Sequence, residues 1–239
     1  MKRVFLLSFL AFLLVSCKKN SAEIKQTNNQ ILKTFNSFEI KGTLENFYPE
    51  KVYLNKIIGD SFYEIDSSII ENNNFLFKGI VDFPERFALT YQNYSSASIL
   101  IIENTSFNVF ISSDAINDPL INGSQLNNEL NEYKIASKNI FKKIDYLFPQ
   151  FQKARLENDA NELKKIGSEI KNIETDFTKF SYNFIFKHKN SYVSAMILRD
   201  LLKSTTVDTL QIKETYKTLS LEVKNSPDAQ LVASFLDLH

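Results

Sequence analysis

The chain has one cysteine, two histidines, no tryptophan and only five glycines among its 239 residues. Each scarcity removes a class of chemistry. A single thiol forms neither an intramolecular disulfide nor a Cys-x-x-Cys redox pair. Metal sites usually draw on clustered His or Cys, and the only imidazoles here are His188, late in a helical pattern, and His239, at the last position. A Ser-His-Asp triad would need one of those two as its base, and no Gly-x-Ser-x-Gly turn accompanies them. The sparse glycines build no loop that could cradle phosphate. No cofactor, metal ion or catalytic residue is therefore expected. Charge of one sign is also lacking: Lys plus Arg and Asp plus Glu number 28 each. No global field draws the chain to a polyanion, and nucleic acid is not an expected partner.

What is present begins at the amino terminus. Lys2 and Arg3 precede an almost unbroken apolar run from Val4 to Val15, the layout of a signal peptide. As a helix the run would span about 18 Å, well short of the ~30 Å hydrocarbon core, so a permanent transmembrane helix is the weaker reading. Leu14, Val15, Ser16 and Cys17 match the lipobox of bacterial lipoproteins, which implies cleavage before Cys17 and a diacylglycerol on its thiol. The alternative is an ordinary secretory peptide with a chance cysteine. Acyl chains contribute about 0.8 kcal/mol per buried methylene, so two or three on one residue make a durable membrane anchor. Residues 1–16 read as signal peptide and residues 17–37, rich in Lys, Asn, Ser, Gln and Thr, as a flexible tether.

Residues 38–124 read as an antiparallel β-domain. Phe38, Ile40 and Gly42 alternate with Glu39 and Lys41, Val52 and Leu54 with Tyr53 and Asn55, and Phe75, Phe77 and Gly79 with Leu76 and Lys78. Asn72, Asn73 and Asn74 mark a turn, because Asn tolerates positive φ, and predict a hairpin of Ile65 to Ile70 with Phe75 to Val81. Phe87 to Tyr91 reads as a further strand, and a second hairpin is expected between Ile99 to Glu103 and Phe107 to Ile111. Some seven strands with regular turns suggest a sandwich or open barrel.

Residues 125–239 read as helical. Leu130, Tyr133, Ile140, Ile144, Leu147 and Phe151 recur at spacings of three and four, with Pro149 expected to kink or end the segment. Leu163, Ile166, Ile170, Ile173, Phe177, Phe180 and Phe184 repeat the pattern after a capping-box-like Asp159 and Glu162. The two should form an antiparallel hairpin. Shorter helices follow: one capped by Ser191, one over Leu210 to Val223, and one opened by Ser226 and Pro227. The expected fold class is α+β.

Two surface features remain as candidates. Tyr48, Tyr53, Tyr63, Tyr91 and Tyr94 could line a binding surface on the sheet. Glu64, Asp66, Glu71, Asp82, Glu85 and Glu103 lie among the strands, and glycoside-type chemistry would need two of them opposed across a cleft. A solvated outward face is the better account of those acids.

Together, the lipobox, Phe38 to Gly42, Val52 to Leu54, Asp66-Ser67, Phe75 to Gly79, Pro84, Ile102 to Asn104 and Asn122 to Ser124 resemble the amino-terminal region of a family of Gram-negative lipoproteins. In many of these a β-domain of unknown function precedes a thioredoxin-like domain of the thiol-disulfide interchange class (AhpC/TSA, TlpA/ResA-like). No Cys-x-x-Cys follows here, so no redox residue carries over, and the chain is expected to be a stand-alone or truncated form of the accessory region. The resemblance implies a non-enzymatic binding or accessory module of the cell envelope, lipid-anchored through Cys17, with an envelope protein as partner and no assigned small-molecule ligand. The alternative is a split component of a thiol-disulfide pathway. Lys18 follows the cysteine in place of an aspartate, which by analogy points to the outer membrane, facing the periplasm.

Overall fold

The computed structural model describes residues 37–59, 61–204 and 208–238. The signal peptide, Cys17, nearly all of the tether and His239 lie outside them. Eight strands come first: β1 (Phe38–Glu45), β2 (Lys51–Ile58), β3 (Ser61–Ile69), β4 (Asn74–Gly79), β5 (Glu85–Tyr91), β6 (Ala97–Ile102), β7 (Ser106–Ser112) and β8 (Leu120–Asn122). They form two four-stranded sheets, ordered β4-β1-β7-β8 and β3-β2-β5-β6. Alternation decides the packing. Ile40, Leu44, Phe75, Phe77, Phe107, Val109 and Ile111 from the first sheet meet Val52, Leu54, Phe87, Leu89, Leu100 and Ile102 from the second in one buried cluster. The fold is thus a sandwich followed by helices, of the α+β class.

Strand pairing departs from the expected hairpins. Asn72 and Asn73 do take positive φ, 50° and 62°, in a tight turn closed by a bridge between Glu71 and Asn74. Beyond that bridge the chain crosses the corner of the sandwich, so β3 pairs with β2 and β4 pairs with β1. At the crossing the Leu76 N–H donates to Ser68 Oγ at 3.2 Å, a side chain standing in for the missing ladder. The expected pairing of the sixth and seventh strands fails in the same way, because β7 crosses to lie parallel to β1. A turn motif specifies a reversal and not the sheet that receives the next strand.

Close approach of the sheets' own side chains fixes one glycine. A Cβ on Gly42 would lie 1.9 Å from the ring of Phe75, its partner across the β1–β4 ladder. Glycine there lets the ring lie flat over the backbone.

The helices are α1 (Gln125–Leu156), α2 (Ala160–Lys187), α3 (Tyr192–Leu201), α4 (Thr209–Thr218), α5 (Leu221–Lys224) and α6 (Pro227–Phe235). Asp159 caps α2 by accepting from Asn161 N and Glu162 N, and Ser191 and Ser226 cap α3 and α6 as expected. Two expectations are corrected. Of the kink or stop expected at Pro149, the stop does not occur, and α1 runs on to Leu156. The exposed proline forfeits one backbone bond, about 3 kcal/mol locally, while Leu147 and Ala154 on either side stay buried against Ile166 and Ile173 of α2. The helix predicted over Leu210 to Val223 is two helices, since Leu219 is extended and buried and Ser220 caps a new turn.

Helices and sandwich meet on the outer face of the second sheet. Ile101 of β6 joins Leu126, Val193, Met196, Ile197 and Val232 in a second core, so β6 is buried on both faces. β6 is also an edge strand, and its outward backbone is met by the side chain of Asn127 on α1. Asn127 Oδ1 accepts from Ile101 N at 2.8 Å, and its Nδ2 donates to Ile101 O at 2.7 Å. An amide in this position imitates one residue of a neighbouring strand. A second tie is ionic: Arg86 of β5 makes a two-pronged contact with Asp200 of α3 at 2.6 and 3.0 Å, and buried Asp228 of α6 takes Arg199 at 2.6 Å.

Two substitutions test these joints. Asn127→Ala leaves two buried backbone groups unpaired and should lower unfolding stability by about 2 to 4 kcal/mol in a denaturant titration; a loss within error would show that water replaces the amide freely. Gly42→Ala should cost about 1 to 3 kcal/mol through overpacking, and much of that loss should vanish in a Phe75→Ala background.

Candidate functional site

The structure disperses the residues that the sequence offered as a tyrosine surface. Tyr91 is core, 2% exposed, with its ring edge-on to Phe47 and its hydroxyl bonded to Ser98. Tyr48 and Tyr94 stay exposed and adjacent, the Tyr94 hydroxyl accepting from Tyr48 N at 3.3 Å. Tyr63 is exposed on β3 and Tyr53 half-buried on β2. Tyr91 is therefore removed from the candidate surface.

The strand acids divide similarly. Glu85 pairs with Lys56 at 3.2 Å beside the sandwich core, and Glu64, Asp66, Glu71 and Asp82 are solvent-exposed. On the outer face of the first sheet, Lys41 and Lys78 hydrogen-bond Glu39 and hold its carboxyl down to about 2. Burial alone would lower the Arg86 pKa, and Asp200 with Asp228 reverses that, so the guanidinium stays charged. Among the described residues no three or more His, Cys, Asp or Glu side chains gather as a metal site would need.

Glu103 behaves differently. It follows β6 and lines a cleft of about 400 Å³ with Pro84, Gln125, Glu129 and the turn Lys187 to Tyr192. The cleft lies where the start of α1 meets the α2–α3 connection, and two acids clasp it. Glu103 accepts from the Ser124 hydroxyl at 2.6 Å and approaches Leu126 N at 3.5 Å, so its charge faces the positive end of α1. Glu129 accepts from the Ser191 hydroxyl and from Gln125 Nε2 at 3.1 Å. Ser124 and Ser191 are the caps of α1 and α3, accepting from Asn127 N and Val193 N. Each acid thus steadies a helix start, which is structural work.

His188 joins this turn through its backbone and its ring. Its carbonyl accepts from Ser191 N and the Ser194 hydroxyl, and its ring stacks on Phe184 with centroids 4.2 Å apart. Lys187, His188 and Lys189 line the cleft beside Glu103 and Glu129. Sequence reasoning found Glu103, Ser124, Ser191 and His188 singly and missed Glu129 and Asn127, whose partners are distant in the chain.

At the cleft's edge, burial and then the Glu222 carboxylate push the Tyr192 phenol up to about 12. A phenol raised in the fold stabilises it fully below its ordinary pKa near 10, and that contribution is lost as pH rises through about 12. Tyr192→Phe should therefore flatten part of the alkaline fall in stability over that window, read by thermal melts across pH. An unchanged slope would place the effect elsewhere.

No curated protein matches the chain. No solved structure matches it either. Residues 38–130 match a family described as a domain of unknown function, DUF4369. That stretch covers the whole sandwich and the first turns of α1, and so includes Glu103, the Ser124 cap and Asn127.

Proposed function

We infer that the protein is a lipoprotein of the Gram-negative cell envelope, anchored through acyl chains on Cys17, whose folded body serves as a non-enzymatic binding or accessory module. The observation that carries this is Leu14-Val15-Ser16-Cys17 directly after a short cationic start and a 12-residue apolar run. Structural use of the polar side chains supports the module reading. Glu103 and Glu129 are engaged by helix caps, Glu85 by Lys56, and Asp200 and Asp228 by arginines. Among the described residues no helix is long and apolar enough to cross a membrane, so acylation supplies the attachment in this account. Lys18 favours the outer membrane with the body facing the periplasm.

Resemblance to lipoproteins with a thioredoxin-like domain supports a second role, as the accessory half of a split thiol-disulfide system. In that case a separate thioredoxin-like polypeptide would be recovered with the lipidated protein after crosslinking.

Cys17→Ala should abolish incorporation of a clickable palmitate analogue and move the protein from the membrane to the soluble fraction. A variant that still labels, or a wild type that never does, would remove the lipoprotein reading.

A further inference from the structure

The α1–α2 hairpin projects as a pair of helices whose distal core is thin. Leu147, Ala154, Ile166 and Ile173 are its only fully buried members, while Ile140, Ile144, Phe151, Leu163 and Ile170 remain partly open. On one face a groove of about 460 Å³ runs between the helices, with Leu147 and Ile173 at its floor. Its walls carry opposite charge. Lys143 and Tyr146 line the α1 side, and Glu169, Asn172 and Asp176 line the α2 side.

On α1 the basic character extends along the helix, while on α2 it is the groove wall alone that is acidic. From Lys134 to Arg155, α1 carries six basic residues and one acid, Asp145. On α2, Glu162, Glu169 and Asp176 recur every seven residues; Glu162 is paired with Lys165, which leaves Glu169 and Asp176 as the acids on the groove wall. Among the described residues no ion pair joins α1 to α2, and Lys142, Lys143, Glu169 and Asp176 have no ion-pair partner. Tyr146 stands 76% exposed beside the apolar floor.

We propose that this face is the dimer interface for a second copy of the chain, giving an antiparallel four-helix bundle with Tyr146 of each copy seated in the other's groove. Charge selects the symmetry. A twofold axis along the hairpin places α1 of one copy over α2 of its partner, so Lys142 and Lys143 face Glu169 and Asp176. An axis across the hairpin would stack α1 on α1, lysine against lysine, which costs several kcal/mol at an interface. The favoured axis makes every neighbouring helix pair antiparallel and leaves both sandwiches at the same end of the bundle. That polarity suits two copies anchored on one membrane, although the dimer does not depend on the anchor. The face is large enough: about 34 Å of helix, two helices wide, offers on the order of 600 Å² before side-chain relief, close to the ~800 Å² per partner of a stable interface.

The test is the mass of the full chain, purified in detergent and followed by light scattering and mass photometry over a concentration series. A dimer is expected. Lys143→Glu, which sets acid against Glu169 and Asp176 of the other copy, should weaken it at least about tenfold, as should Tyr146→Ala. Adding Glu169→Lys and Asp176→Lys to Lys143→Glu should restore it. Circular dichroism and melting temperature show whether each variant is folded. A wild type that stays monomeric at every concentration, a dimer indifferent to these changes, or a monomer that binds a different helical protein through this groove would each overturn the proposal. The wild-type mass and a Cys17→Ala chain run in parallel separate this outcome from that of the lipidation test.

Discussion

One side-chain amide holds the two halves of the molecule in register. Asn127 closes the outward edge of β6 with the hydrogen bonds that a further strand would have made. Without it, a strand buried on both faces would present unpaired backbone to an apolar core, a costly arrangement. Because Asn127 sits in the first turn of α1, the same pair of bonds fixes where the helix leaves the sandwich. The Ser124 cap, the Glu103 carboxylate at the helix start and the second core around Ile101 all follow from that placement. The family match runs just past this residue, to residue 130.

Polar groups elsewhere are arranged to a similar end. Arg86, Asp200, Arg199 and Asp228 tie β5 to α3 and α6 across the same interface. Such partly buried pairs add little net stability, yet breaking one leaves a charge stranded, whereas replacing both partners with apolar groups can be neutral. The cleft beneath the α2–α3 turn is built from the same materials, cap hydroxyls and carboxylates, which steady the starts of α1 and α3.

Much of this architecture was legible in the chain. Strand alternation found seven of the eight strands, with β8, three residues long, the exception, and the three-four stripes found α1 and α2. The caps at Asp159, Ser191 and Ser226 were read from residue type alone. Pairing was not legible. The Asn72-Asn73 turn has the backbone that its residues predict, yet β3 and β4 part company after it, because the partner of each is set by core packing far away in sequence. Pro149 brings no stop to α1 for the opposite reason, local chemistry yielding to burial of the helix stripe on both sides of it. For the candidate site the same division holds. Glu103 and Ser191 stood out as types, but Asn127 with Ile101, and Glu129 with Ser191, are separated by 26 and 62 positions, and no local pattern joins them.

The position of β1 has a mechanical consequence. The first described strand is not at an edge: it lies between β4 and β7, antiparallel to one and parallel to the other. Tension applied through the residues before Phe38 would act along its axis and load both ladders in shear, so their hydrogen bonds must yield together instead of one at a time. Force arriving from that end would meet two ladders at once before the sandwich could open.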